Sequence, residues 1–254
     1  MPDPDMPRTL QTSSNTLAIV NEIKRLDGAR LSELADQLDL SRSTVHVHLQ
    51  TLLDRRFIVK HGNEYRIGFK FFHLGEYARH QDPRYGLGRE KVKRLAERTT
   101  EEANFVVEDH GRTIILFAAV STPHEEGFQI GQYFYMHNTA SGKAMLSQYS
   151  DKRINAILDE WGLPRETEHT ITDRDELFKE IERTRERGYA VNRQEALEGL
   201  RAIAVPVLTP NGSVFASIDI YGPSYRLAPD EELAAAIQAE VDDLEEEISS
   251  YGYF

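Results

Sequence analysis

The sequence predicts an α+β protein in two parts: a small winged helix-turn-helix module, then a larger domain around a mainly antiparallel sheet. Three observations predict it. Residues 31–57, LSELADQLDLSRSTVHVHLQTLLDRRF, read as two short amphipathic helices separated by a tight turn. Two short apolar runs follow at once around His61-Gly62-Asn63, a turn signal. Beyond residue 100, apolar runs, turn signals and helical stretches alternate, the mixture expected of an α+β domain.

Residues 13–26, SSNTLAIVNEIKRL, predict a first helix with Leu17, Val20, Ile23 and Leu26 turned inward. The second helix is expected to take Ser32 as its N-cap, with Glu33 in the positive first turn and Leu34, Ala35 and Leu38 on one face. Ser41 is the next cap, and Val45, Leu49, Leu52 and Leu53 give the i, i+4, i+7, i+8 stripe of a third helix. Its opposite face carries Arg42, Ser43, His46, Val47 and Gln50, small or hydrogen-bonding groups with few acids. That is what a helix needs to enter the major groove, where base edges present donors, acceptors and methyls. Ser41, Arg42, Ser43, Thr44, His46, Val47 and Gln50 are therefore the candidate DNA-contacting residues of this helix. FIVK at 57–60 and Tyr65-Arg66-Ile67 predict the two strands of a wing, placing Lys60, His61, Asn63 and Arg66 near phosphate. The alternative is an ordinary helical hairpin with solvated charges.

Residues 1–11 are polar and proline-rich and read as a disordered lead-in, with Arg8 placed to touch DNA backbone. The DNA-binding module spans 12–68. FKFFHLGEYARH predicts a linker helix over 69–82, apolar through Phe69, Phe72 and Tyr77, with Phe71 and Phe72 either offered to a dimer contact or packed in the core of their own domain. The second domain occupies 83–254. It opens with a helix over 84–101. NFVVED and TIILFAAV are strands around His110-Gly111-Arg112, and FQIGQYFYM is another strand. NTASGKAMLSQY runs from a small-residue loop into a helix. DKRINAILDEWG and RDELFKEIERTRERGYAV contain two more helices, the second ending at Gly188. IAVPVLT and SVFASIDIY form a hairpin around Pro210-Asn211-Gly212, and a long acidic helix closes the chain.

Composition bounds the function. The net charge is −12, which argues against nonspecific coating of nucleic acid. The charge is uneven: residues 1–70 hold ten Lys/Arg and nine Asp/Glu, and the remaining twenty and thirty-three lie beyond. The DNA-reading module is thus the part relieved of acidity. With eight lysines to twenty-two arginines, the acid-rich composition resembles that of proteins from salt-loving archaea, the alternative being an acidic mesophilic protein. There is no cysteine, so disulfides, thiolate metal sites and cysteine nucleophiles are excluded. No apolar run approaches a membrane span and no signal-peptide core is present, so a cytoplasmic location without membrane partners is expected. His110, His124, His137 and His169 are scattered, and no HExxH, P-loop or nucleophile elbow appears. Catalysis, a cofactor and a metal site are therefore not expected. An architectural DNA-binding protein without effector is the other alternative, but it would not need so large a second domain.

Three local matches give a resemblance. LSELADQLDLSRSTVHVHLQTL is similar to the helix-turn-helix of the IclR family of transcriptional regulators, HNTASGKAML at 137–146 to its small-residue loop, and RERGYAVNRQEALEGLRAIAVPV at 185–207 to its signature. In that signature Gly188, Glu195, Ala202, Ile203, Ala204 and Val207 match, whereas Asn192 stands where Asp or Ser is usual and Leu208-Thr209 depart from the pattern. In the recognition helix, Val47 occupies a position often held by Arg. The resemblance covers residues 13 to 250. It implies a winged helix-turn-helix, a linker helix and a GAF-like effector domain, assembled as dimers or dimers of dimers on a palindromic operator. It also implies control of catabolic genes by a small metabolite, often an organic or sugar-derived acid. Ligand positions carried across are Ala140, Ser141, Asn192 and Ala202, with Thr139 heading the same loop.

Small side chains in TASGKA let backbone N–H groups approach a carboxylate near a helix start. The alternative is that Gly142 only allows close packing. Lys143 is either a partner for an acid ligand or a surface lysine. Asn192 suits a hydroxyl or carboxylate, or else is a turn residue, and Glu195 is expected to support the loop through backbone hydrogen bonds. Asp219 and Tyr221 share one face of the strand SIDIY, which is either pocket-lining or wet.

Overall fold

The computed structural model describes residues 9–120 and 128–251. The chain divides into two compact units, 1–81 and 82–254. Arg8 and His124 lie outside the described residues, as does most of the expected lead-in, and Gln11 already opens the first helix.

The N-terminal unit contains α1 (Gln11–Arg25), β1 (Ala29–Arg30), α2 (Leu31–Gln37), α3 (Arg42–Asp54), β2 (Ile58–His61), β3 (Glu64–Ile67) and α4 (Lys70–Arg79). Its core is Ile19, Ile23, Leu34, Ala35, Val45, Leu49, Leu52, Ile58 and Tyr65. Leu17 is exposed and Ile19 takes its place. Ile23 is buried as expected, and Val20 and Leu26 pack partly buried against the same core, so the expected face departs only at Leu17. Ser32 does not cap α2. The cap is Arg30, whose backbone N–H donates to the Glu33 carboxylate at 2.7 Å. Ser41 does cap α3, accepting from the Thr44 N–H at 3.1 Å. The short strand β1, set by the Gly28 turn with φ +111°, was not legible in the sequence and completes a three-stranded sheet of order β1-β3-β2. In α4, Phe71 packs on Phe57 within the unit, ring centroids 5.0 Å apart, so it is not offered outward. Phe69, Phe72 and Tyr77 are exposed.

The second unit holds α5 (Tyr85–Thr99), β4 (Glu102–Asp109), β5 (Arg112–Ala119), β6 (Tyr133–Tyr135), a 3-10 turn at Met136–Asn138, α6 (Ala140–Leu146), α7 (Asp151–Trp161), α8 (Arg174–Arg187), β7 (Ala190–Arg193), β8 (Leu200–Leu208), β9 (Val214–Pro223) and α9 (Asp230–Ser250). The six strands form one antiparallel sheet of order β6-β5-β4-β9-β8-β7. Gly188, at φ +82°, ends α8 where the sequence predicts, and the chain turns there into β7, a strand not marked in the sequence. FQIGQYFYM yields only the three-residue β6.

Period-two alternation sorts the sheet into two faces. Phe105, Ile218, Ile220 and Val205 face α5 and α9. There the acids of α9 find partners: buried Lys91 reaches Asp243 at 2.5 Å and Glu247 at 2.7 Å, and Arg94 pairs with Glu240 and Asp243. The other face carries α6, α7 and α8. Ala140 and Ala144 of α6 sit on Ala190 and Ala204, and these four methyl groups let the helix lie close to the sheet.

Candidate DNA-reading face and ligand cavity

The burial of α3 separates its roles. Val45, His48, Leu49 and Leu52 are buried, with the His48 Nδ1 2.8 Å from the Thr16 hydroxyl. Arg42, Ser43, His46, Val47 and Gln50 are exposed together, and Val47 leaves 67% of its surface in solvent. An exposed valine among donors is what a thymine methyl would contact. The Ser41 hydroxyl is spent as the cap and also bonds the hydroxyls of Ser43 and Thr44, both at 2.8 Å, and Thr44 is half-buried. In the wing, Lys60, His61, Asn63 and Arg66 are all exposed. Arg66 shares its charge with Glu64 at 3.3 Å, and Lys60 lies over the Tyr65 ring.

In the second unit, strand register builds a polar floor at the centre of the sheet. Asn104, Asp219, Ala204 and Ala190 form one row across four strands, and Glu102, Tyr221, Ala202 and Asn192 form the next. Over this floor lies the start of α6. A cavity of about 40 Å³ between them is lined by Thr139, Ala140, Ser141, Asn192, Ala202 and Asp219, with Asn104, Val106, Thr113, Ile115, Phe128, Phe134, Ala196 and Tyr221 in the rest of the wall. Six residues from three separated stretches of sequence thus share one cavity. A space of this size takes one or two waters.

The cavity wall is largely apolar, and its charged group is an acid. Asp219 accepts from the Ser141 hydroxyl at 2.6 Å and from Asn104 Nδ2 at 3.0 Å. Burial pushes its carboxyl up to about 6, against the lowering effect of those two hydrogen bonds. Asn104 Oδ1 is buried without a partner. The Tyr221 hydroxyl donates to Glu102 and accepts from the Phe128 N–H. Among the described residues no Lys, Arg or His lines the cavity.

A second layer fixes these groups. Lys143 is neither a surface lysine nor open to a ligand. It is fully buried, and its ammonium reaches both Glu195 oxygens at 2.6 and 2.7 Å. Glu195 also accepts from the Arg193 N–H, and its own N–H donates to Asn192 Oδ1 at 3.0 Å. Asn192 Nδ2 in turn donates to the Asn138 carbonyl at 2.6 Å. Asn192 is therefore a strand residue held at both ends of its amide. The expected anion cradle of backbone donors is partly closed, because the Gly142 N–H donates to the Thr139 hydroxyl at 3.1 Å. Gly142 serves close packing: a Cβ there would stand 2.2 Å from the Met136 carbonyl oxygen and 2.4 Å from its Cα.

The profile described as "Bacterial transcriptional regulator IclR C-terminal" matches residues 87–250, and the "IclR helix-turn-helix domain" matches 14–62. The chain belongs to the IclR family of transcriptional regulators. It is 29% identical over 229 residues to the "Probable HTH-type transcriptional regulator ArcR" of Halobacterium salinarum, covering 87% of this chain and 86% of that protein. It is 27% identical over 232 residues to the HTH-type transcriptional regulator KdgR of Dickeya chrysanthemi, covering 89% and 76%. The crystal structure of an IclR transcriptional regulator from Alicyclobacillus acidocaldarius superposes with a TM-score of 0.80 at 22% identity, covering 95% of this chain and all of that one, and shows the same fold. A Halobacterium relative accords with the acid-rich, lysine-poor composition.

As an IclR-family regulator, the chain carries a helix-turn-helix domain and an effector-binding domain. Within the latter, sequence reading missed Asn104 and Thr113. Their signal was present: both sit on the same alternation that puts Val106 and Ile115 on the α6 face. The sequence also passed over Arg112, Asn138 and Glu166, which line a larger neighbouring cleft. Among the described residues no group of three or more His, Asp or Glu side chains is placed to hold a metal ion, and no helix is long and apolar enough to cross a membrane.

Proposed function

We propose that this IclR-family regulator reads a roughly palindromic operator as a dimer or dimer of dimers and controls catabolic genes in response to a small hydroxylated acid. The observation that carries the effector reading is the convergence of Thr139, Ala140, Ser141, Asn192, Ala202 and Asp219 on one buried cavity. Its groups are those that recognise hydroxyls: a carboxylate, two carboxamides and hydroxyls, with one amide oxygen still lacking a donor. An organic or sugar-derived acid has hydroxyls to offer them. The DNA reading is supported by the exposed set Arg42, Ser43, His46, Val47 and Gln50 on α3, with Lys60, His61, Asn63 and Arg66 on the wing as phosphate contacts. Phe69, Phe72 and Tyr77 of α4 supply an apolar strip suited to a second copy, because large aromatic groups left in water gain by burial.

The test is thermal melting of the purified chain in molar KCl against hydroxy acids and sugar acids, since a ligand that binds only the folded state must stabilise it. A rise in melting temperature with at least one of them, lost in Ser141→Trp, is expected. A full rise in that variant places the ligand elsewhere.

A further inference from the structure

Next to the inner cavity lies a cleft of about 520 Å³, within the range of small-ligand sites. Its walls are Phe128, Tyr133, Phe134, Tyr135, Leu197 and Leu200, and its polar groups are Arg112, Gln132, Asn138 and Glu166. Phe128, Phe134 and Ala196 line both spaces, so they form the partition between them. The Phe128 ring meets Phe134 edge-on at 4.8 Å and lies 4.7 Å from Tyr221.

Arg112 stands out among the arginines of this unit. Most of them are paired with carboxylates. The Arg112 guanidinium instead rests against aromatic faces, 4.5 Å from the Tyr135 centroid, 5.2 Å from Trp161 and 5.8 Å from Tyr133. Its Nε donates to the Phe134 carbonyl at 3.4 Å. Among the described residues its two terminal nitrogens have no hydrogen-bond partner and no carboxylate reaches it. Glu166, the acid of this cleft, is exposed to solvent. These ring contacts restrain the guanidinium and leave its two terminal nitrogens available to a carboxylate, which a guanidinium can take through two parallel bonds.

Asn138 supplies the second polar feature. It is 2% exposed, and its Oδ1 is buried without a donor. Its backbone carbonyl accepts from Asn192, a wall residue of the inner cavity. The cleft therefore offers a cation and a buried acceptor, whereas among the described residues the inner cavity offers Asp219 and no cation. An acid ligand placed wholly inside would set its carboxylate beside another carboxylate in a poorly screened space. The inner space, at about 40 Å³, is also too small for an acid of six or more heavy atoms.

Resting on the effector reading above, we propose that Arg112 anchors the carboxylate of the effector in this outer cleft. Asn138 accepts from one of its hydroxyls, and the uncharged end points toward Asp219 and Asn192. The ligand class is a carboxylic acid with at least one hydroxyl, long enough to cover both spaces.

The test pairs each acid with its neutral amide: D-gluconate with gluconamide and 3-hydroxybenzoate with 3-hydroxybenzamide. Binding is read by thermal shift and calorimetry in molar KCl for the wild type, Arg112→Gln and Arg112→Lys. At least one acid should bind the wild type about tenfold or more tightly than its amide. Arg112→Gln should bring that acid down to the level of its amide, and Arg112→Lys should restore part of the preference by charge without the two parallel bonds. Unliganded melting temperatures of the two variants separate loss of binding from loss of fold. If an acid binds and Arg112→Gln keeps the preference, the anchor is wrong and the effector reading stands. If neither the acids nor the amides bind the wild type, both fall.

Discussion

Asp219 is the residue on which the most chemistry turns. Its carboxyl is raised from 3.8 to about 6 by burial, so the folded chain keeps a proton that the unfolded chain has lost. Stability therefore falls as pH rises from 3.8 toward 6, by about 1.4 kcal/mol per pH unit, and the contribution is flat above that window. Asp219→Asn should remove this slope. Variant and wild type are expected to melt closer together at about pH 4 than at about pH 7.5, where the variant is the more stable. A constant difference across that range would show that the carboxyl titrates normally. Lys143 carries the opposite risk. Its loss in Lys143→Met leaves Glu195 buried without its cation, a change that costs about 3–5 kcal/mol. Urea unfolding checks it, and a cost under about 1 kcal/mol would mean that Glu195 reaches water. Neither property was legible beforehand. The sequence shows that Lys143 and Glu195 exist, 52 residues apart, but only the fold closes the distance.

Among the elements, α3 was the most legible. Its cap, buried stripe and exposed face follow from spacing alone, because a helix on a small core has one apolar side and one solvated side. Arg42→Ala or Gln50→Ala should lower specific DNA binding by about 1–3 kcal/mol, the range of a good base contact, with little change in melting temperature. Wild-type affinity and base preference in both would remove α3 as the reader. The start of α6 was legible in composition, with its cause left open between an anion cradle and close packing. Its small residues suggested backbone donors for an anion, whereas Gly142 is required by the Met136 backbone and alanines by the sheet. Gly142→Ala should cost about 1–3 kcal/mol through overpacking, seen as a lower denaturation midpoint. An unchanged midpoint would mean that the Met136 turn moves aside. Strands β1 and β7 escaped the sequence because two and four residues are too short to show a period.

For the whole molecule, the division of charge and the order of elements were legible, and the meeting of distant strands was not. The rows that join Asn104 to Asp219 and Asn192 to Ala202 depend on sheet order, which no local pattern encodes. The two units carry separable functions that must be coupled, since an effector acts only by preferring one arrangement of the DNA-binding heads. Dimers are the expected unit in light scattering, because one helix covers too few base pairs for specificity, and a monomer both free and on DNA would count against this. The most direct measurement takes the DNA sequence that the wild-type chain selects from a random pool and titrates that complex with the acid giving the largest thermal shift. The account predicts that the acid changes DNA affinity of the wild type about fivefold or more, the lower end of allosteric coupling, and leaves Ser141→Trp bound and unresponsive. An unchanged affinity in the wild type, or an equal response in Ser141→Trp, would contradict it.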